Sequence, residues 1–177
     1  YLFQVTQKHG ERCNVAKAYL AHHRQRPNLR VMTGVLTEQI TFSGQRATGV
    51  NARIDGQLVN LQARREVLLC AGAFGSPQLL MRSGIGPAEH LQSLGIGVRH
   101  SLPGVGENLQ DHIDYVHACR SPRNHETFGV SLTGAWQAAT GLWQWHRTRR
   151  GRLTSPIAES GAYLRSSPAV AVPDLQL

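Results

Sequence analysis

The segment Glu66–Pro77 has the residue types of a site that binds a phosphate or a dinucleotide. Glu66–Cys70 is typical of a strand buried on both faces, as in parallel sheets covered by helices. A turn of small residues, Ala71–Ala73, follows it, and Ser76–Pro77 is a good helix start, with Ser as the cap. Backbone amides at a helix N-terminus favour anions, and small side chains let a ligand approach them. The alternative is an ordinary capped strand-turn-helix unit without a ligand.

A second candidate is the loop Leu102–His112, which is dense in glycine and hydrogen-bonding side chains. Asn108 and Asp111 could contact a ligand there, or their side chains could bond their own loop backbone, as Asn and Asp often do. His112 could act as a base or a metal ligand, but a single loop histidine is more often a hydrogen-bonded structural group. Both interpretations of the loop stay open on the residues alone.

The histidines and cysteines predict neither a metal site nor a disulfide framework. The 9 histidines contain no HExxH motif or paired short spacing. Cys13, Cys70 and Cys119 are widely spaced and odd in number. We therefore expect reduced thiols, with Cys70 buried on its strand.

The elements that must position these segments alternate between helical and strand patterns. Apolar residues at helical spacing predict a helix over Val15–Arg26. A β-meander follows, with Asp55–Gly56 as a hairpin turn whose two central residues both need positive φ. Its predicted strands are Leu29–Thr33, Leu36–Phe42, Ala47–Ile54 and Leu58–Ala63. Further helices are predicted from Ser76, from Pro87 and over about Ser131–His146, and two short strands within Gly161–Leu177.

Length and hydropathy bound the class of protein. The 177 residues suffice for one domain with a core and are few for a two-domain enzyme. No apolar run is long enough to span a bilayer. The chain opens on Tyr1 and closes on the strand-like Pro173–Leu177, so we expect both ends to be cut from a longer protein.

The net charge of +8 makes anionic partners worth considering. Much of it is concentrated beside Trp143 and Trp145, in the arginines at positions 147, 149, 150 and 152. Such a segment can lie on a membrane as an interfacial helix, although a core face with solvated charge is the commoner case. No recognisable nucleic-acid-binding module accompanies it, so we expect no nucleic-acid partner.

Three segments resemble the glucose-methanol-choline oxidoreductase family, and among its members the choline dehydrogenase-like sequences. Gly72–Gly86 is similar to the second sequence signature of the family at every constrained position. Gly10–Leu20 and Leu102–His112 are similar to two further family motifs, in the family's order. The first family fingerprint, Gly-x-Gly-x-x-Gly, is absent, because the pairs that begin at Gly84, Gly95 and Gly104 all lack the third glycine.

The resemblance implies an α/β fold with part of a Rossmann-like FAD-binding domain and a β-meander, followed by the start of an α+β substrate-binding domain. It places the FAD-binding part at residues 1–115 and the substrate-binding part at residues 116–177. The implied chemistry is oxidation of a small-molecule alcohol, with hydride passing to flavin N5 and a quinone or dioxygen as electron acceptor. For the location, the sequence leaves both the cytoplasm and the periphery of the inner membrane open.

The resemblance also implies which residues lie near FAD. The family's catalytic histidine and its partner are expected beyond Leu177, so no catalytic residue is assigned. Asn14 stands where the family usually has Ser, which we treat as a minor change. The residues carried over as cofactor-binding are Thr37, Ala71, Gly72, Ser76, Asn108 and Asp111. A non-catalytic basic module that binds anionic partners is the alternative from a different functional class.

Overall fold

The computed structural model describes Leu2 and residues 4–116, 131–155 and 160–177. Contacts group the described residues into two units, one within Val31–His117 and one within Tyr1–Arg30 and Ala118–Leu177. The predicted domain division between residues 115 and 116 stays a prediction.

The described part of the chain contains strands and helices in mixed order. The strands are β1 (Gln7–Lys8), β2 (Glu11–Arg12), β3 (Val35–Ser43), β4 (Arg46–Ile54), β5 (Gln57–Gln62), β6 (Ile85–Gly86), β7 (His100–Ser101), β8 (Tyr163–Leu164) and β9 (Leu175–Gln176). The α-helices are α1 (Gly72–Arg82), α2 (Ala88–Ser93) and α3 (Leu132–Thr148).

The predicted meander is confirmed in the Val31–His117 unit, as the antiparallel sheet β3-β4-β5. Asp55 and Gly56 join β4 to β5 with φ of 49° and 79°. Both values are positive, as the predicted hairpin turn requires. The β3–β4 ladder is irregular between Thr37 and Gln39, where Glu38 has no counterpart on β4. This bulge interrupts the regular backbone pairing beside Thr37.

A small parallel sheet follows the meander. The two-residue strands β6 and β7 pair in parallel, and α2 lies in the connection between them. Parallel strands need a crossover of this kind, since a tight turn can only join antiparallel ones. In the described residues, the buried apolar side chains come from the meander, α1 and α2, and they are Ile40, Ala52, Leu79 and Leu91. The buried apolar part of this unit is therefore small.

The buried hydroxyl of Ser83 joins the meander to α1. Its Oγ accepts a hydrogen bond from the backbone N–H of Ile40 at 2.8 Å and donates one to the Leu79 carbonyl at 2.6 Å. Beside it, the Gln39 side chain donates to the Arg82 carbonyl at 3.3 Å. β3 is an edge strand of its sheet, so its outward N–H groups need partners from outside the sheet. Ser83, at the end of α1, supplies the partner for the N–H of Ile40.

The predicted strand Glu66–Cys70 is wrong. These residues form no strand, and Leu68 and Cys70 are exposed, so the prediction of a buried Cys70 is wrong as well. A strand forms only where a neighbouring strand takes up its N–H and C=O groups, and among the described residues none pairs with this segment. The predicted strand Leu29–Thr33 is absent for the same reason. Cys13 and Cys70 are free thiols as expected, while Cys119 lies outside the described residues.

The predicted helix near the N-terminus is shorter than expected and irregular. It is a π-helix over Ala16–Leu20 that continues as a 3₁₀ turn over Ala21–His23. None of these residues is buried, so no packed face favours a regular α-helix over Val15–Arg26. The predicted helix near residue 131 is confirmed as α3, whose cap Ser131 accepts a hydrogen bond from the Gly134 N–H at 3.0 Å.

In the same unit, the β1–β2 hairpin is held against the end of α3. Trp145 Nε1 donates to the Gly10 carbonyl at 2.7 Å. The Arg149 guanidinium lies 4.2 Å from the centre of the Trp145 ring and donates to Glu11 at 2.6 Å. The predicted pair of C-terminal strands is confirmed as the antiparallel hairpin β8–β9.

Replacing Ser83 should destabilise the fold of the Val31–His117 unit. Ser83→Ala leaves the buried Ile40 N–H without its partner, and such a loss costs about 1–3 kcal/mol. The measurement is the free energy of unfolding in urea. Ser93→Ala is the matched control, because Ser93 Oγ also donates to a helix carbonyl, that of His90 at 2.8 Å, but is exposed. Equal losses in the two variants would contradict the role given to Ser83.

The β8–β9 hairpin should depend on pH through Asp174. The Ser166 hydroxyl and then the Ser166 N–H, at 2.6 and 2.8 Å, lower the pKa of Asp174 below its usual value. Because the folded pKa is depressed, the stabilisation is complete above the unfolded pKa and is lost as pH falls through the folded pKa. Ser166→Ala should raise the Asp174 pKa in an NMR titration, whereas Ser167→Ala should not. An Asp174 pKa that is the same in Ser166→Ala as in the wild-type protein would contradict this explanation.

Candidate functional site at the start of the first helix

Helix α1 begins at Gly72, four residues before the predicted start. Ser76 is therefore not the cap residue, and Pro77 lies inside the helix instead of in its first turn. Ser76 nevertheless serves the helix start, because its Oγ accepts a hydrogen bond from the N–H of the cap residue Ala71 at 3.1 Å. That N–H is one of the donors that a helix cannot satisfy from its own backbone. The prediction located the element correctly and misassigned its first turn.

Gly72 presents open backbone at this helix start. It is exposed, its φ is +82°, and a Cβ built on it would meet nothing within 4 Å. The N–H groups of the first turn have no partner within the helix and carry the positive end of its dipole. The arrangement can accept a polar or anionic group that comes directly against the main chain.

Thr37 lies on β3, the strand on which α1 packs. It is half-buried and borders the bulge at Glu38. Glu38 is held there by Arg53, whose Nε donates to its carboxylate at 2.9 Å. The family resemblance implies that Thr37 contacts the adenine of FAD through its backbone, and this contact stays a prediction.

The loop that carries Asn108 and Asp111 passes along α1 further from its start. A Cβ on Gly106 would lie 3.4 Å from Met81, which is nine positions after Gly72 and so about 14 Å along the helix axis. Asn108 is exposed with a φ of 56°, and Asp111 is exposed with one carboxylate oxygen 2.8 Å from the His112 N–H that donates to it. This is the local contact that the non-ligand interpretation expects. A ligand role for both residues stays a prediction.

The structure thus brings three of the six predicted residues together, namely Ala71, Gly72 and Ser76. Among the described residues, no hydrogen bond links these three to the side chains of Thr37, Asn108 or Asp111. All six lie in the Val31–His117 unit.

Sequence reasoning missed the residues that hold α1 in place. One of these residues is Ser83, and the other is Gly84. Gly84 has a φ of +82°, and a Cβ on it would lie 2.5 Å from the Gly97 carbonyl oxygen. Its own carbonyl accepts hydrogen bonds from the N–H groups of Arg99 and His100, at 2.8 and 3.1 Å. The pair Ser83–Gly84 was visible as the end of a helix pattern, but its partners are distant in sequence.

Asn14, which stands where the family usually has Ser, makes a local contact. Its Oδ1 accepts a hydrogen bond from the Lys17 N–H at 2.9 Å. Asn and Ser side chains can both accept such a bond from the backbone.

One cavity in the described residues contains none of the predicted site residues. It measures about 630 Å³ and lies within the unit of the β1–β2 hairpin, between residues 5–15 and residues 153–155. Apolar side chains alternate there with polar ones that include Arg12, Cys13 and Asn14. Its size is that of a small-molecule site, but no residue predicted to bind FAD lines it.

The family model described as GMC oxidoreductase matches residues 2–114, well over half of the chain. The chain belongs to the GMC oxidoreductase family. The predicted membership is therefore confirmed, and the motif-rich segment containing α1 lies inside the match.

Curated relatives agree with this assignment. An oxygen-dependent choline dehydrogenase of Ectopseudomonas mendocina is 43% identical over 94% of this chain, and an alcohol dehydrogenase [acceptor] of Pseudomonas putida is 40% identical over 98%. The chain spans about 30% of the length of these relatives. A solved FAD-dependent oxidoreductase from Chaetomium thermophilum is 32% identical, with a TM-score of 0.62 over 75% of this chain and 23% of its own. The predicted α/β fold class, with part of a Rossmann-like FAD-binding domain, is confirmed.

Gly84→Ala should destabilise the Val31–His117 unit more than most substitutions of one small residue by another. The variant combines an unfavourable positive φ with a collision against the Gly97 backbone, for a loss of about 3 kcal/mol in unfolding free energy. Gly95→Ala is the matched control, since Gly95 has a φ of +70° and open space around it. It should lose only about 1 kcal/mol. Chemical denaturation measures both, and a Gly84→Ala loss no larger than that of Gly95→Ala would refute the close contact.

Proposed function

We propose that the complete gene product containing this chain is an FAD-dependent oxidoreductase that acts on the CH-OH group of a small-molecule alcohol. The family match over residues 2–114 carries this proposal. Relatives named as choline dehydrogenase and as alcohol dehydrogenase, at 43% and 40% identity, support the reaction type. Because the chain spans about 30% of these relatives, the catalytic groups are sought in the rest of the product.

The residues at the start of α1 fit the nucleotide half of FAD. The absent side chain of Gly72 and the open space around it allow close approach to the main chain. The free amides of the first turn suit phosphate or ribose oxygens. Bound FAD would supply the hydride acceptor for the alcohol carbon, at flavin N5.

Each predicted residue has a separate task in this proposal. Gly72 and Ala71 line the nucleotide, and Ser76 keeps the turn in shape through its bond to the Ala71 N–H. Thr37 offers backbone groups beside the bulge of β3. Asn108 and Asp111 bring polar side chains from the loop towards the cofactor. None of these residues moves a proton, so their role is to bind and orient.

For substrate and acceptor, we propose choline or an aliphatic alcohol as donor, and a quinone or dioxygen as acceptor. The names of the relatives support both donors and include an oxygen-dependent member. The proposed location is the cytoplasm or the periphery of the inner membrane.

Purifying the complete gene product tests the reaction directly. We expect flavin absorbance that bleaches anaerobically when choline or an aliphatic alcohol is added, and that recovers with oxygen or a quinone dye. Comparing the two donors and the two acceptors separates the finer options. A folded, colourless product that takes up no added FAD would favour the alternative, a basic module that binds anionic partners.

Gly72→Ala should weaken FAD binding more than it weakens the fold. Its new methyl group meets no described residue within 4 Å, so the steric conflict expected is with a ligand. We expect about tenfold weaker FAD affinity, a typical consequence of one extra methyl group in a close contact. Gly95→Ala carries a similar backbone cost away from α1 and should keep full affinity. Apoprotein titration with FAD measures both, and equal affinities would remove Gly72 from the site.

A further inference from the structure

Met81 lies in the last turn of α1 and occupies the space that two glycines leave open. A Cβ built on Gly86 of β6 would lie 2.9 Å from Met81 Cγ, which is closer than van der Waals contact allows. A Cβ built on Gly106 would lie 3.4 Å from Met81 Cε and 3.9 Å from Met81 Sδ. The stem of the methionine side chain therefore lies against Gly86, and its end reaches the loop Leu102–His112.

Two contacts attach the first half of this loop to the rest of the Val31–His117 unit. The Leu102 N–H donates a hydrogen bond to the Gly86 carbonyl at 2.9 Å. Gly106, four residues later, lies against the end of Met81. In the described part of the chain, the hydrogen bonds of residues 107–112 stay within the loop. Met81 therefore supports the loop immediately before the two loop residues that are predicted to bind FAD.

We propose that Met81 is a positioning residue for FAD, because it holds the loop on α1 and thereby keeps Asn108 and Asp111 within reach of the cofactor. The inference rests on the proposed function, in which the nucleotide lies at Gly72. Met81 and Gly72 belong to one rigid helix and are nine positions apart, so the two parts of the site are held about 14 Å apart along the helix axis. Met81 acts through the loop and makes no contact with FAD itself.

The test begins with Met81→Ala in the complete gene product. The substitution removes Cγ, Sδ and Cε, which are the atoms that face the two glycines. If the loop is then held in about a tenth of the molecules, FAD affinity falls about tenfold, since only that fraction is competent to bind. Titration of the apoprotein with FAD measures this loss.

A second readout follows the loop without any cofactor. Glu107 comes directly after Gly106, so a glutamate-specific protease can report how often this part of the loop is released. Cleavage after Glu107 in the apoprotein, followed by mass spectrometry, should be about tenfold faster in Met81→Ala, because the cleavage rate tracks the released population.

Leu61→Ala is the matched control, since Leu61 is also a half-buried apolar side chain of the same unit. It lies on β5, which β4 separates from β3, the strand on which α1 packs. FAD affinity and the cleavage rate should stay within about twofold of wild type, because the two sites are distant. Met81→Leu keeps a side chain of similar volume and should keep FAD affinity within about threefold of wild type.

A double-mutant cycle tests the contact between Met81 and Gly86. The methyl group of Gly86→Ala collides with Met81 Cγ, so this variant alone should also release the loop and weaken FAD binding. In the Met81→Ala background the collision is absent. Gly86→Ala should then change FAD affinity by less than about twofold, whereas independent residues would give additive losses.

Two results would overturn the role given to Met81. The first is an equal loss of FAD affinity in Met81→Ala and Leu61→Ala, which would leave Met81 with a general contribution to stability only. The second is cleavage after Glu107 at the wild-type rate in Met81→Ala. A wild-type product that folds and binds no FAD would contradict the proposed function, and the role of Met81 with it. The cleavage rates would then still show whether Met81 holds the loop, so the two failures are distinguishable.

Discussion

The hydroxyl of Ser83 is the contact on which the arrangement of the Val31–His117 unit depends. It accepts from Ile40 on the edge strand of the meander and donates to the Leu79 carbonyl in α1, and it is buried in both roles. A buried hydroxyl with both bonds made is favourable, while the same site with one bond missing is costly. Gly84 follows at once and brings the main chain close to Gly97. The position of α1 relative to β3, and hence of Gly72 relative to Thr37, follows from this pair of residues.

The candidate cofactor site works through backbone more than through side chains. Gly72 contributes space and main-chain donors, and Thr37 is assigned a main-chain contact to FAD. The Ser76 hydroxyl accepts a hydrogen bond from the Ala71 N–H. A site of this kind tolerates changes in side-chain chemistry but not in size or φ. This explains why the motif that identifies the family here is rich in small residues, and why no titrating group in it is assigned to the reaction.

The unit containing α3 relies on different contacts. The hydrogen bond from Trp145 to Gly10 is half-buried and so contributes more than the exposed ion pairs of Glu11 with Lys17 and Arg149. By using Trp145 and Gly141 for packing, the helix leaves Trp136 and Trp143 on the opposite side. Trp136 and Trp143 are exposed because Trp145 is the tryptophan that contacts the hairpin.

The sequence by itself determined the elements whose cause is local. Asp55–Gly56 predicted the β4–β5 turn because both residues must take positive φ. Apolar residues at helical spacing predicted α3 from about Ser131, and the run Gly72–Gly86 indicated the family. Only the tertiary structure decided what depends on distant partners. Glu66–Cys70 had the composition of a buried strand but pairs with no strand in the part of the chain that the structure describes. Helix α1 starts at Gly72, although Ser76 was the better cap by pattern. Hydrophobic periodicity reports what a segment could bury, whereas strand pairing and the satisfaction of a buried N–H such as that of Ile40 require a partner brought from elsewhere in the chain.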